Sequence, residues 1–402
     1  MKKVFILMAA LFVAFSCGEN SPSPTDTTPA TDTKPDPEPE PEPKPDPQPT
    51  TLTFAKGADI SWASEMVAGG RKFYKKDGTQ AALLDVLKDC GINAIRLRVW
   101  VNPYKGWSGK EDVLAMANQV KSAGMALMIN FHYSDFFVDP GRQTMPEAWL
   151  SDKDNLDKMC QHVSDHTKDV LQTLKDAGVT VNWIQVGNET RNGMLSPLGD
   201  AVWKNNQIDL TNFVKLYNAG YDAAKDVYPN AYVMPHLNSA FFSADYGNPM
   251  WLNDFQAKGG KFDMIAFSHY PQMEEKDRKM WVNGKELTLT PAQMNEYALA
   301  YIQSSITAYK VPVMVSEVGV LLNDSESKGL LQSFMTEVKK IENCAGVFYW
   351  EPEVDGSWVP AMYKDADAIY KYTGKRETWG AYNMGAFTTG GKPTSVMDVF
   401  SD

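Results

Sequence analysis

Two glutamates, Glu189 and Glu317, have the setting expected of a catalytic carboxylate pair. Glu189 closes an apolar segment at residues 183–189, and Glu317 closes a second one at residues 313–317. Strands of a parallel sheet are buried on both faces and read as near-continuous apolar runs, and barrel enzymes hold their chemistry at the carboxyl ends of such strands. Two glutamates on different strands predict the acid and the nucleophile of a glycoside hydrolase. The alternative is that both are ordinary strand-end residues capped by nearby loops.

An eight-stranded parallel barrel would bring these two glutamates together. After residue 53 the sequence alternates short apolar runs with longer amphipathic stretches, which is typical of βα units. Strands are predicted at residues 56–61, 93–100, 125–132, 182–188, 232–237, 262–269, 312–316 and 346–350. Helices are predicted at residues 80–89, 111–123, 155–177, 211–228, 291–309 and 328–341, with a short last one at 394–400. The glutamates then end the fourth and seventh strands, and we predict an α/β fold of the (β/α)8 TIM-barrel class.

The first residues have the pattern of an export signal. A short basic start precedes an apolar run at residues 4–15, which is too short to span a bilayer and suits the core of a signal peptide. Ser16 and Cys17 follow directly and resemble the lipobox of bacterial lipoproteins, in which the cysteine becomes lipidated. We predict a lipoprotein signal peptide at residues 1–17 and an outer-membrane lipoprotein that faces the periplasm or the cell surface. A simple secreted protein with an incidental cysteine is the alternative.

A linker and a single catalytic body follow the signal. Residues 18–52 are rich in Pro, Asp, Glu and Thr, and alternate prolines with repelling acids favour an extended chain without a fold of its own. We predict a disordered tether there and one (β/α)8 domain at residues 53–402. About 350 residues is a normal size for an elaborated barrel.

Composition narrows the class of partner. The net charge of −11 argues against nucleic acid, because phosphate binding needs a basic surface. Beyond Cys17 the cysteines Cys90, Cys160 and Cys344 are scattered and have neither metal-ligand nor disulfide-framework spacing. We expect a monomer by default. We expect the protein to contact the membrane only through the N-terminal lipid.

Long loops after the predicted strands carry many tryptophans. Strand-to-helix loops build the rim of a barrel's active face, so aromatic loops there predict an open groove for a polymer. The tryptophans concerned are Trp107, Trp149, Trp203, Trp281, Trp358 and Trp379.

Several strings of the sequence resemble one known family. Residues 95–103 (Ile-Arg-Leu-Arg-Val-Trp-Val-Asn-Pro), 132–141 (His-Tyr-Ser-Asp-Phe-Phe-Val-Asp-Pro-Gly) and 348–352 (Phe-Tyr-Trp-Glu-Pro) are similar to glycoside hydrolase family 53. Members of that family are arabinogalactan endo-β-1,4-galactanases with a (β/α)8 barrel, and the resemblance covers about residues 54–400. The Asn188-Glu189 pair alone would indicate only the wider clan of retaining glycosidases.

The resemblance implies roles for the residues around the cleaved bond. Glu189 would be the acid/base and Glu317 the nucleophile, with Arg96 and Tyr270 holding Glu317 ionised and aimed. This agrees with the physical requirement that a nearby cation lowers the pKa of one carboxyl while burial or a like charge raises that of its partner. Arg98 shares a strand face with Arg96, so an exchange of roles between the two arginines stays open.

The same resemblance implies further substrate contacts. Asn188 would hydrogen-bond the 2-hydroxyl of the sugar at the cleavage point, and Trp350 would form the platform beneath that sugar. His132, Asp59 and His236 would be further polar lining, although both histidines could instead be satisfied core residues.

No cofactor or catalytic metal is expected, but a structural calcium ion is considered. Some bacterial members have a long Asp- and Gly-rich loop after the seventh strand that takes part in calcium binding. Here residues 319–328 are short and poor in ligands, and calcium requires six to eight oxygens. The remaining candidates are Asp355, Asp365 and Asp367.

Three functions follow from these observations. The first is retaining endo-hydrolysis of β-1,4-galactan, with release of galacto-oligosaccharides. The second is a clan-related endo-β-1,4-glycanase acting on mannan, xylan or glucan. The third is a non-catalytic carbohydrate-binding lipoprotein, against which the retention of Glu189, Glu317, Asn188, Arg96 and Tyr270 argues.

Overall fold

The computed structural model describes residues 54–204, 207–238, 248–282, 285–374, 379 and 383–401. The predicted signal peptide, Cys17 and the linker at residues 18–52 lie outside these residues, so their boundaries stay predictions. Within the described residues no helix is both long and apolar enough to cross a membrane.

Parallel strands form the inner wall of the fold. Their bounds are β1 Ala55–Asp59, β2 Ala94–Val99, β3 Ala126–Phe131, β4 Trp183–Val186, β5 Tyr232–Met234, β6 His236–Leu237, β7 Ile265–His269, β8 Val313–Val318 and β9 Cys344–Trp350. The order in the sheet is β5-β4-β3-β2-β1-β9-β8-β7-β6. The two edge segments, β5 and β6, are separated in sequence by Pro235 alone, which has no N–H to donate to a ladder. The sheet therefore closes on itself, and β5 and β6 together are the predicted fifth strand, so the predicted (β/α)8 barrel is confirmed.

Helices surround this barrel. Their bounds are α1 Ala63–Ala68, α2 Leu83–Asp89, α3 Lys110–Ser122, α4 Leu156–Asp176, α5 Thr211–Val227, α6 Asn248–Ala257, α7 Pro291–Tyr309, α8 Ser327–Val338 and α9 Ala366–Thr373, and a 3-10 helix spans Ser395–Phe400. The helix predicted at residues 80–89 begins only at Leu83, because Gln80–Ala81 pairs with Phe73–Tyr74 in a small antiparallel ribbon. Helices α1, α6 and α9 were not predicted, and α1, with six residues, shows too little periodicity to be recognised.

The inside of the barrel changes character along its axis. Inward-facing side chains near the amino ends of the strands are apolar, and they form one packed cluster: Ala55, Ala94, Ala126, Met128, Trp183, Met234, Met264, Ala266, Met314 and Phe348. Gly57 lies against the Phe348 ring, which is 2.1 Å from where a Cβ would stand, so only glycine leaves room for this plug. Because the lower barrel is filled, a ligand can enter only at the carboxyl ends of the strands.

Candidate active site

A cavity of about 310 Å³ opens at the carboxyl ends of the strands. It is lined by eight of the nine residues for which the sequence predicts catalysis or substrate binding: Asp59, Arg96, His132, Asn188, Glu189, Tyr270, Glu317 and Trp350. The ninth, His236, is fully buried directly behind Glu189. The structure thus brings the predicted set to one place.

The two glutamates face each other across this cavity. A carboxylate oxygen of Glu189 and one of Glu317 lie within 4.8 Å of each other. Glu189 follows β4 in a left-handed backbone conformation (φ 48°), after Gly187 at φ 81°. Glu317 is turned inward by an irregularity in β8, where Phe267 and Ser268 of β7 pair with Val315 and Glu317 and skip the residue between them. Such a bulge re-aims a side chain, and here it places the carboxylate in the cavity.

One buried arginine connects the polar groups beneath the glutamates. Arg96 Nη2 lies 2.8 Å from Glu317 Oε1, and Arg96 Nη1 lies 2.7 Å from Asp59 Oδ2. Asp59 in turn accepts hydrogen bonds from the backbone N–H and the hydroxyl of Ser61. Asp59 therefore orients the arginine, and the arginine orients Glu317.

Arg98 has a different task, which removes the alternative that the two arginines exchange roles. Arg98 is ion-paired with Glu351 and lies 4.0 Å from the ring centroid of Trp62 and 4.5 Å from that of Phe137. Arg96, and not Arg98, contacts the predicted nucleophile.

Asn188 is fixed by hydrogen bonds and still has a donor for substrate. Its Oδ1 accepts from Arg96 Nη2 at 3.0 Å and from Asn130 Nδ2 at 3.0 Å, while its Nδ2 donates to the carbonyl of Val138 at 2.9 Å. Among the described residues, the bond to Val138 uses one of the two hydrogens on Asn188 Nδ2. Asn188 also lines the cavity. The second hydrogen is suited to a sugar hydroxyl.

A buried histidine and a serine support Glu189 from behind. His236 Nδ1 accepts from the backbone N–H of Glu189 at 3.2 Å and from Gln185 Nε2 at 2.8 Å, so in the neutral ring the proton is on Nε2. That nitrogen lies 2.9 Å from Ser268 Oγ and donates to it. The serine hydroxyl is then free to donate to Glu189 Oε1 at 2.8 Å, nearer than Glu317 Oε2 at 3.3 Å. This leaves Glu189 Oε2 to carry an acidic proton.

The electrostatic environments of the two glutamates differ. Burial, and then the negative charge of Glu317, raise the pKa of Glu189 well above its usual value. Burial also raises the pKa of Glu317, but Arg96 and a hydrogen bond from Tyr270 oppose that rise. Burial and the neighbouring Glu317 raise the pKa of Tyr270, so its hydroxyl keeps its proton and donates to Glu317 Oε2 at 2.8 Å. These environments favour the proton on Glu189 and the ionised form of Glu317.

Aromatic and neutral groups complete the wall. Trp350 is half-buried at the end of β9, with its ring edge-on to Tyr270 at 6.2 Å. Burial, and then Arg98 and Arg96, hold the pKa of His132 well below its usual value, and its Nδ1 accepts from Trp100 Nε1 at 3.2 Å. His132 is thus a neutral lining residue.

Asn130, Gln185, Ser268 and Gln143 act at the site but were not predicted. The first three lie on strands β3, β4 and β7, and Gln143 Nε2 donates to the backbone carbonyl of Asn188 at 2.9 Å. Each of the three is a polar residue within an otherwise apolar strand, in register with the inward column of its strand. That interruption of the apolar run was the available signal.

The acids considered for calcium do not converge. Asp365 caps helix α9 and accepts from the hydroxyl of Tyr104, while Asp355 pairs with Arg71. Among the described residues, Glu189, His236 and Glu317 form the one group of His, Cys, Asp or Glu side chains close enough together to hold an ion. Both nitrogens of that histidine are occupied by hydrogen bonds, and a guanidinium already neutralises Glu317. These residues do not fit a metal ion.

A parallel barrel that presents one protonated and one ionised carboxyl at its carboxyl-terminal face has the arrangement of the retaining glycoside hydrolases. The sequence matches glycosyl hydrolase family 53 over residues 55–400, and the chain belongs to this family.

Relatives and solved structures agree with this membership. An arabinogalactan endo-beta-1,4-galactanase of Humicola insolens is 30% identical over 317 residues, which cover 74% of this chain and 89% of that protein. An endo-beta-1,4-galactanase of Bacillus subtilis is 26% identical over 340 residues, covering 76% of this chain and 71% of that protein. The family 53 catalytic domain of Ignisphaera aggregans has the same fold, with a TM-score of 0.68 at 24% identity over 88% of this chain and 97% of that domain.

Proposed function

We propose that this protein is a retaining endo-β-1,4-galactanase that cleaves galactan and type I arabinogalactan into galacto-oligosaccharides. The observation that carries the proposal is the unequal pair at the cavity. Carboxylate oxygens of Glu189 and Glu317 approach within 4.8 Å, and among the ion pairs of the described residues Arg96 contacts Glu317 and not Glu189. Retaining enzymes have carboxyls about 5–5.5 Å apart, whereas inverting enzymes need a wider gap for water.

The geometry supports a double displacement with the following steps. Glu189 donates its proton to the oxygen of the leaving sugar while Glu317 attacks the anomeric carbon and forms a glycosyl-enzyme. Loss of that proton leaves Glu189 ionised, so it then removes a proton from water, which attacks the same carbon and releases Glu317. Before the attack, Arg96 and Tyr270 each hold one oxygen of Glu317 and keep the carboxylate aimed.

The choice of galactan is supported by the activities for which the relatives are named. The chain covers 89% of the Humicola insolens galactanase, so the whole catalytic body is shared. The axial O4 of galactose bends a β-1,4 chain differently from the equatorial O4 of mannan, xylan or glucan. A substrate panel therefore separates galactan from these alternatives.

The deciding experiment measures new reducing ends released from unbranched galactan, mannan, xylan and a mixed β-glucan. We expect rapid release of short oligosaccharides from galactan, abolished in Glu317→Ala and unchanged in Glu337→Ala. Glu337 is a matched control because it is a half-exposed glutamate on α8, paired only with Lys340 among the interactions described. Cleavage of another glycan would replace the substrate, and cleavage of none would favour the carbohydrate-binding alternative.

The stereochemistry is tested separately. Proton NMR of the first minutes of hydrolysis should show the β-anomer of the new reducing end before mutarotation. An initial α-anomer would contradict Glu317 as nucleophile.

We also propose, from the sequence alone, that Cys17 is lipidated and that the protein is an outer-membrane lipoprotein acting as a monomer. Expression in a bacterial host with lipoprotein processing should yield a membrane-bound, lipid-modified protein, and Cys17→Ser should release it. A wild-type protein that is soluble and unmodified would contradict the anchor, and light scattering would test the monomer.

A further inference from the structure

Trp203 is an exposed tryptophan that the mechanism above does not use. Its side chain is 38% exposed, more than any other tryptophan whose side chain the structure describes. It belongs to a ribbon in which Val202–Lys204 pairs with Gln207–Asp209, with Trp203 directly opposite Ile208. Ile208 is 7% exposed, so the face that carries Trp203 is the one packed toward the protein.

The indole ring is held in place from one side. The guanidinium of Arg191 lies 5.3 Å from the Trp203 ring centroid, within the range of a cation–π contact. Arg191 is two residues after Glu189, on the one-turn helix Thr190–Asn192. This contact orders the ring, and the 38% of Trp203 that is exposed is the part a ligand can reach.

The ribbon is tied to the loop that carries the catalytic acid. The backbone N–H of Ala201 donates to the carbonyl of Asn192 at 3.0 Å, and Asn192 Nδ2 donates to the carbonyl of Pro140 at 2.8 Å. Pro140 follows Asp139, which lines the catalytic cavity. Trp203 is thus fixed relative to Glu189 through a short run of hydrogen-bonded backbone.

The barrel places this ribbon on the side where the leaving sugars depart. Trp350, on β9, lines the cavity, and the family resemblance implies that it is the platform for the sugar that becomes attached to Glu317. In the closed sheet β9 is four positions from β4, which is halfway around a barrel of eight strand positions. A polysaccharide that lies on Trp350 and passes Glu189 therefore leaves the cavity over the loop that follows β4.

We propose that Trp203 is an outlying platform for the leaving-group side of the chain, which stacks on the apolar face of a β-linked hexose beyond the cleaved bond. The proposal rests on the proposed glycan hydrolysis and adds to it a binding position outside the cavity. Its consequence is a preference for substrates that are long on the reducing-end side of the cleaved bond.

The test uses the full chain with Trp203→Ala, Trp203→Phe and Val202→Ala. Val202 is a matched control because it is 55% exposed on the opposite face of the same ribbon. Substrates are galactan and galacto-hexaose labelled at its reducing end, so that the position of each cut can be measured.

We expect kcat/KM on galactan to fall about five- to tenfold in Trp203→Ala, because on the order of 50 Å² of indole face loses its sugar contact. Cuts in the labelled hexaose should move toward the reducing end, since fewer sugars are then held beyond the cleaved bond. Trp203→Phe should restore most of both properties, and Val202→Ala should behave as wild type. A general loss of stability would lower the rate without moving the cut.

The proposal is overturned if Trp203→Ala leaves both the rate and the cutting pattern unchanged while the wild type cleaves galactan. If the wild type cleaves a different β-1,4-glycan, galactan as substrate is wrong, and the same comparison on oligosaccharides of that glycan decides the role of Trp203. If no glycan is cleaved, affinity electrophoresis of the wild type and Trp203→Ala in gels containing each glycan decides whether Trp203 binds sugar. Equal migration of the two proteins would then refute the platform.

Discussion

Replacing Ser268 by alanine removes a hydroxyl that contacts both glutamates, at 2.8 Å from Glu189 and 3.3 Å from Glu317. Because a hydrogen bond to a carboxylate stabilises its ionised form, this donor lowers the pKa of Glu189 against the rise caused by burial. The alanine variant should therefore have a Glu189 of still higher pKa. In the proposed mechanism Glu189 is protonated in the first step, so the alkaline limb of the profile of kcat/KM against pH should move to higher pH.

The size of the shift follows from the strength of the bond. A hydrogen bond to a charged group contributes about 1.5–3 kcal/mol, and one pKa unit corresponds to about 1.36 kcal/mol. The protonated carboxyl keeps part of this bond through its carbonyl oxygen, which leaves an expected shift of about one pH unit. The acid limb should move less, because Arg96 and Tyr270 still hold Glu317.

The assay is kcat/KM on galactan across pH for the wild type, Ser268→Ala and the control Ser316→Ala. Ser316 is a buried serine on the neighbouring strand whose hydroxyl has no hydrogen-bond partner among the described residues. A downward shift or no shift in Ser268→Ala would refute the reasoning. So would an equal shift in the control, since that would trace the effect to the loss of any nearby hydroxyl.

Three further results are expected. Gly91→Ala should lower the free energy of unfolding by about 3 kcal/mol, against about 1 kcal/mol for Gly124→Ala, in denaturant titrations. Both glycines have positive φ, but a Cβ at Gly91 would lie 2.1 Å from a backbone carbonyl oxygen while that at Gly124 meets open space, so equal losses would contradict the clash. Arg96→Met leaves buried carboxylates without their cation and should cost about 3–5 kcal/mol in the same titrations, with loss of activity; a stable, active variant would be inconsistent with this network. Glu317→Gln should lower the pKa of Glu189 in a carbon-13 NMR titration of labelled protein, because a neighbouring negative charge is removed, and an unchanged value would show that burial alone raises it.

Hydrophobic patterning was sufficient to predict the barrel. All eight strand positions were predicted because parallel strands buried on both faces are apolar throughout. Three helices end at glycines, Gly91, Gly124 and Gly178, whose φ values of 89°, 65° and 66° suit that residue type. The break at Pro235 follows from its missing backbone N–H, and the short helix α1 has too few residues for a helical period to be recognised.

The site was predictable where it coincides with strand ends and less so inside the strands. Alternation along β8 points Met314 and Ser316 inward, which would turn Glu317 away from the cavity. The bulge reverses this, and its position depends on pairing with β7, which is not encoded locally. Ser268 and Gln185 were missed for a related reason. Each forms a hydrogen bond with one ring nitrogen of His236, and the three residues lie on three different strands, so these bonds become apparent only in the folded barrel.

The hydrogen bond from the backbone N–H of Glu189 to His236 Nδ1 gives the protein a built-in reporter. A hydrogen held by a buried acceptor exchanges with deuterium only when that contact opens. The exchange rate of this one amide therefore measures how often the hydrogen bond between Glu189 and His236 opens. Comparing it with the slowest amides of the β-strands would separate local opening at the catalytic acid from unfolding of the whole domain, without substrate and without a mutation.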